Sequence, residues 1–153
     1  MRSTLLLILF LGLIACNQDE GNEMNDPNRL AVGESKTIVV EAIEFWNDAT
    51  INVEAGEVYS ITSTGEWVDL DIETDADGFS DPILDNFSHL KRVPDANWFE
   101  LIAAVDSNYF YIVGGDAEIT FEQGGSLSFF ANDAEDFYDN NSGNISTVIT
   151  RID

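Results

Sequence analysis

The sequence predicts an all-β protein, a jelly-roll-like β-sandwich of about eight short antiparallel strands. Three observations carry that expectation. Short β-branched or alternating segments recur along the chain from Lys36 onward. Turn signals at Gly114-Gly115 and Gln123-Gly124-Gly125 separate the later segments. No stretch holds a long apolar period of 3.6 residues, so helix is a minor component. With 153 residues the chain has room for one domain with a sizeable core.

The first fifteen residues do not belong to that domain. Arg2 supplies a positive start, Leu5 to Leu11 a short apolar run, and Leu13-Ile14-Ala15-Cys16 closes the segment. The run is too brief to span a bilayer, which takes roughly 20 apolar residues. Residues 1–15 therefore read as a signal peptide. Leu13-Ile14-Ala15-Cys16 resembles the lipobox of bacterial lipoproteins, which implies cleavage before Cys16 and its lipidation. Residues 16–33, rich in Asn, Asp and Glu, then read as a flexible acidic tether between lipid and domain. Asn17-Gln18-Asp19-Glu20 is similar to acidic surface-export signals of some outer-membrane lipoproteins. The resemblance implies a membrane-anchored lipoprotein at the outer membrane, with display at the cell surface as an extension of it.

The domain is expected over residues 34–153. Its strand-like segments are Thr37–Ala42, Thr50–Val53, Val58–Ser63, Leu101–Val105, Tyr109–Val113, Glu118–Phe121, Leu127–Phe130 and Ile145–Ile152. Phe45, Trp46, Trp67, Phe129 and Phe130 are expected in the core. Residues 69–97 break the rhythm with Pro82, Pro94 and a cluster of acids. A loop that long inside a compact domain is usually functional, and here it is expected to wall a binding site.

Charge narrows the partners. Six basic residues stand against 29 acidic ones, a net charge of −23. Nucleic acid is excluded as a partner, because phosphate contact needs a basic footprint. Cations are favoured. Cys16 is the only cysteine, so no disulfide and no cysteine-based metal site forms within the domain. One histidine, no Gly-x-Ser-x-Gly and no zinc ligand set argue against an enzyme.

Between the last two predicted strands lies Asn132-Asp133-Ala134-Glu135-Asp136-Phe137-Tyr138-Asp139-Asn140-Asn141-Ser142-Gly143, with four carboxylates and three carboxamides. Such oxygens suit a hard cation, since calcium takes about 6–8 oxygen ligands in irregular geometry. Asn140 to Gly143 also suit a simple turn into the last strand. A second acidic stretch, Glu73-Thr74-Asp75-Ala76-Asp77-Gly78-Phe79-Ser80-Asp81, alternates its acids like a calcium loop. It has Leu84 where that loop needs a bidentate Glu, and no flanking helices.

Val40–Trp46, Asp48–Val53, Gly56–Ile61, Gly65-Glu66-Trp67, Gly125–Phe129 and above all Asn132-Asp133 with Asn140–Gly143 resemble the calcium-dependent galactophilic lectins of bacteria (lectin I, LecA-like). The likeness extends to their related galactose-binding-like sandwich domains. It implies a calcium ion held by Asp133, Asn140, Asn141 and the backbone carbonyls of Phe137 and Asp69. It also implies a glycan ligand, with Asp133 and Asn140 on its hydroxyls. Trp98, beside the long loop, and Tyr138, inside the acidic loop, are the rings expected to pack on a sugar's apolar face. The family's His-Pro-Asp-Gln run has no counterpart here, so the resemblance speaks for calcium more than for galactose. A calcium that only staples the loop of an adhesive or structural lipoprotein with a protein partner is the alternative.

Overall fold

The alternation that starts at Val58 does not stop at Ser63. It continues through Gly65 and Trp67, and its length organises the fold. The structure is a computed structural model that describes residues 26–153. The expected signal peptide, Cys16 and the first part of the expected tether lie outside the described residues. Nine strands follow in order: β1 Ser35–Glu41, β2 Asn47–Val53, β3 Val58–Asp69, β4 Ile72–Thr74, β5 Leu101–Val105, β6 Tyr109–Ile112, β7 Asp116–Thr120, β8 Gly125–Ala131 and β9 Asn141–Arg151. Two 3-10 helices, Leu84–Leu90 and Glu135–Asn140, complete the order.

All pairings are antiparallel. One sheet runs β1-β9-β3, and the far edge of β3 is shared by β7 along its first half and β4 along its last. The other sheet runs β2-β8-β5-β6. The sandwich is therefore as expected, with β4 as the strand the sequence pattern does not announce. Gly65 lets β3 run on, because a Cβ there would sit 2.8 Å from the Asn144 carbonyl oxygen of β9. The β3–β9 ladder extends from Tyr59 opposite Arg151 to Asp69 opposite Asn141. It thus carries Asp69 and Asn141 together to one end of the sheet.

Between the sheets, inward positions of alternate residues form the main core. Tyr59, Ile61 and Trp67 of β3 meet Leu127 and Phe129 of β8 and Leu101, Ala103 and Val105 of β5. Burying each large apolar side chain is worth about 1.5–3 kcal/mol. All of β5 is buried, because its outward residues Ile102 and Ala104 are covered in turn by Ala96 and Phe130.

Two expectations need correction. Residues 26–33 are not tether: Leu30 packs into the main core, Asn52 Nδ2 donates to Asp26, and Arg29 pairs with Glu57 at 2.5 Å. An apolar anchor and a buried carboxylate partner offset the chain entropy that the polar composition otherwise favours. Phe45 and Trp46 are not in the main core either. They lie in the β1–β2 connection, partly exposed, against the smaller outer cluster and the side chain of Arg92. Trp67 and Phe129 are core as expected, and Phe130 is fully buried in the smaller cluster.

Candidate functional site

The site is built where the end of the β3–β9 ladder meets two connections, residues 75–100 and 132–140. Asn132, fully buried, clamps them together. Its Nδ2 donates to the carbonyls of Val93 (2.9 Å) and Asn97 (2.8 Å), and its Oδ1 accepts from Val93 N at 2.9 Å. Arg92 N donates to Asp133 O at 3.1 Å, and Lys91 and Ala134 form an isolated bridge. Another bridge joins Phe79 to Trp98. Gly78 permits it, since a Cβ there would lie 2.2 Å from Trp98 O.

A cleft of about 500 Å³ opens at this junction. Its lining includes Asp69, Asp133, Asn140, Phe137 and Trp98, five of the residues singled out from sequence, on three separate segments of chain. Asn141 belongs with them but is placed underneath, as the first residue of β9 rather than a loop residue.

The polar end of the cleft has an unusual hydrogen-bond balance. Asn141 Nδ2 donates to Asp133 Oδ2 at 3.1 Å, and Asn140 Nδ2 reaches Asp69 Oδ1 at the limiting distance of 3.5 Å. Asp133 Oδ1 accepts from Ala134 N at 2.7 Å. Asn141 Oδ1 is buried with no partner, as is the indole Nε1 of Trp98. Leaving such a group unpaired costs about 1–3 kcal/mol.

Its electrostatics are equally one-sided. Burial pushes the Asp133 carboxyl up, against the two hydrogen bonds that favour its charged form. Burial first, then the charges of Asp133 and Asp71, push Asp69 up to about 6. The ion pairs among the described residues join Arg29 and Arg151 to Glu54 and Glu57, none of which lines the cleft. The nearby Arg92 turns away into an aromatic box, its guanidinium carbon 3.4 Å from the Phe130 ring centre, 3.9 Å from Phe45 and 4.0 Å from Trp46.

These residues fit calcium. Two carboxylates that repel each other and two carboxamides, one of them with its oxygen buried and unpartnered, are hard oxygen donors, and no cationic side chain lines the cleft with them. No three His, Cys, Asp or Glu side chains come together as a metal group among the described residues. The donor set is instead mixed, with amides standing where further acids would repel.

Tyr138 requires a correction. It does not face the cleft but is buried, donating to Ala131 O at 2.5 Å and accepting from Arg92 Nη1 at 2.9 Å; burial pushes its hydroxyl up to about 12. The ring that does face the cleft is Phe137, one residue earlier, expected only for its carbonyl. The short 3-10 helix buries one residue, Tyr138, and its neighbour points elsewhere.

The second acidic stretch makes no common centre. Asp75 Oδ1 accepts from Asp77 N, Asp77 Oδ1 accepts from Gly115 N, and Asp81 Oδ1 accepts from Ile83 N and Leu84 N. Each of these three aspartates closes its own piece of backbone.

The long connection does wall the cleft, through residues that sequence reasoning passed over. Leu84, Phe87 and Leu90 line it from the first 3-10 helix, Leu70 and Asp71 from the β3–β4 turn, and Ile72 from the start of β4. The signal of Leu84, Phe87 and Leu90 was a period of three, which neither strand nor α-helix templates detect.

No protein-family model matches this chain, and no curated protein matches its sequence. Among solved structures it is similar to the N-terminal domain of EclA, a PllA-like lectin. The TM-score is 0.60 at 19% identity, covering 75% of this chain and 94% of that one. At that identity the likeness establishes the fold: a lectin-like antiparallel β-sandwich.

Proposed function

We propose that this chain is a lipid-anchored carbohydrate-binding module whose glycan site depends on calcium. The observation that carries the reading is the buried Asp133–Asn141 pair with its unpartnered amide oxygen, beside Asn140 and Asp69 at the polar end of an open cleft. Asp133, Asn140, Asn141 and Asp69 would hold the ion, with the Phe137 carbonyl available from the same loop. The ion supplies a positive centre for sugar hydroxyls. Asp133 and Asn140 would orient those hydroxyls, with Trp98 lining the same cleft, its Nε1 buried and unpaired. That the similar solved structure is a lectin agrees with this reading. The anchor rests on Cys16 and its lipobox-like context.

Titration calorimetry of calcium into chelated protein, then a glycan array with and without chelator, tests it. Calcium uptake with calcium-dependent glycan signal is the expected result. Calcium uptake that raises Tm with no glycan signal would instead support an ion that staples the loop. No calcium uptake at all would sink both.

A further inference from the structure

The chain enters the described domain at the end farthest from the cleft. Residues 26–33 are docked there by several separate ties. Asn52 N donates to Asn28 O at 3.0 Å, Arg29 pairs with Glu57, Leu30 packs into the main core, and Gly33 N donates to Arg151 O at 2.7 Å. Arg151 Nη1 also donates to Leu30 O at 3.1 Å. These partners belong to the end of β2, the approach to β3 and the last residue of β9.

The β3–β9 ladder measures the separation. It runs from Tyr59 opposite Arg151, at the docked segment, to Asp69 opposite Asn141, at the cleft. Ten residue steps of strand, at 3.2–3.4 Å each, put roughly 33 Å between the two ends.

That length matters because an anchor at Cys16 has limited reach. Ten residue steps also separate Cys16 from Asp26, and ten residues span at most about 35 Å when fully stretched. Turning the cleft down onto the lipid surface that holds Cys16 lifts Asp26 the whole length of the ladder above it. Only a fully extended link allows that pose, and full extension forfeits the backbone freedom of every residue in it.

Charge acts in the same direction, independently of reach. Asp69, Asp71, Asp133, Glu135, Asp136 and Asp139 lie around the cleft and its loop. The ion pairs of Arg29 and Arg151 with Glu54 and Glu57 lie at the docked end. An anionic lipid surface therefore repels the cleft end more than the docked end, where guanidinium groups match carboxylates.

We infer that the docking of residues 26–33 makes the cleft the membrane-distal end of the anchored domain. The site then takes glycans presented from outside, in solution or on a facing surface, and not short headgroup glycans of the membrane that holds the chain. The inference rests on the anchor and carbohydrate readings above and gives the site a direction.

The lipidated full chain in phosphatidylcholine–phosphatidylglycerol vesicles tests it, with flotation as the check on anchoring. Ala55→Cys at the docked end and Ser142→Cys at the cleft end, both exposed positions, each carry a donor fluorophore, and rhodamine-labelled lipid is the acceptor. Energy transfer should be several-fold stronger from Ala55→Cys than from Ser142→Cys. Dilute vesicles bearing the unlabelled chain are then offered, in calcium, to beads carrying galactose, glucose, mannose, fucose or N-acetylglucosamine. A sugar that captures the vesicles should lose them to its free methyl glycoside, and not to the same sugar on a short-spacer lipid in the chain's own vesicles. Equal transfer from the two variants, stronger transfer from Ser142→Cys, or capture lost to the chain's own glycolipid would each overturn the inference. Vesicles that float without the chain would overturn the anchor reading and the inference with it. Capture by no bead, with the transfer contrast present, would sink the carbohydrate reading and leave the direction of the cleft standing.

Discussion

Asn141 donates through Nδ2 to Asp133 Oδ2 at 3.1 Å, and its own Oδ1 lies buried without a partner. The two facts belong together. Rotating the carboxamide to free its donor would turn Oδ1 toward the carboxylate, and two oxygens repel. A cation between them would remove that conflict and satisfy both. The pair is poorly balanced by itself, and an ion there would balance it.

Calcium should therefore raise the stability of the protein, and Asp133→Asn should abolish the gain. At a hundredfold excess over Kd the gain is about 2.7 kcal/mol, or roughly 10 °C in Tm for a domain of this size. In chelator the variant should melt at or above the wild-type temperature, since it removes a buried carboxylate that burial disfavours. Thermal unfolding of both proteins with calcium and with chelator reads the four values. A calcium-induced rise retained in Asp133→Asn would remove Asp133 from the site.

The pH dependence follows from Asp69, whose carboxyl is raised to about 6. A carboxyl raised in the folded state holds its proton there at pH values where the unfolded chain has lost it. Chelated protein should accordingly gain stability as pH falls from about 7 toward 4, through the folded value of about 6. Asp69 is partly exposed, so after discounting for solvent screening the gain is about 1 kcal/mol, or a few degrees. Asp69→Asn should flatten that slope, and saturating calcium should reverse it, because the ion favours the charged form that the proton removes. Melting curves across this pH range, with and without calcium, decide the matter. An unchanged slope in Asp69→Asn would assign the effect to another acid.

The strands were legible because β-branched alternation reports half-buried sheet directly. Val58–Ser63, Leu101–Val105 and Leu127–Phe130 all fall within strands. The gathering of Asp133, Asn140 and Asn141 at one place was legible from their crowding in one short polar stretch between two strands. The apolar side of the cleft was not. Leu84, Phe87 and Leu90 lie among acids and a proline, and only the 3-10 period aligns them. Phe137 and Tyr138 exchanged places because one residue of phase in a six-residue helix decides which ring is buried. What fixes that phase is Arg92, 46 residues away along the chain, whose Nη1 holds the Tyr138 hydroxyl. Sequence spacing carries no trace of such a contact. Leu30 was hidden likewise, a single apolar residue in a polar segment, anchored by partners far along the chain.

Gly78, the one glycine of the long connection, should tolerate no side chain. It has φ +68°, and a Cβ would fall 2.2 Å from Trp98 O and 2.5 Å from Glu100 N, both backbone atoms that cannot step aside. Gly78→Ala should cost about 3 kcal/mol, roughly 10 °C in Tm. Gly56 has φ +93° but open space where its Cβ would be, so Gly56→Ala should cost only about 1 kcal/mol of backbone strain. Denaturant unfolding of the two variants measures the difference. Equal losses would mean that the approach of Gly78 to Trp98 is not what holds this connection to the site.

Arg92 joins four parts of the structure. Its guanidinium packs against Phe130 of β8 and against Phe45 and Trp46 of the β1–β2 connection. Its Nη1 donates to Phe45 O (2.6 Å) and to the Tyr138 hydroxyl, and its backbone N donates to Asp133 O. Nη2 is buried with no partner, and burial lowers the affinity of the group for its proton. A planar, delocalised cation tolerates this place because its faces lie on aromatic rings, an attraction of about 2 kcal/mol when desolvated. Lysine carries the same charge but no plane, and its ammonium is more strongly hydrated. Arg92→Lys should therefore lose about 2 kcal/mol despite conserving charge, and Arg92→Ala about 3 kcal/mol, with the aromatic box left unfilled. Both should also weaken calcium uptake, because the Tyr138 hydroxyl and the loop behind Asp133 lose a fixed partner. Denaturant unfolding and calcium titration of the two variants separate these effects. A lysine variant as stable as wild type would show that the stacked guanidinium contributes only its charge.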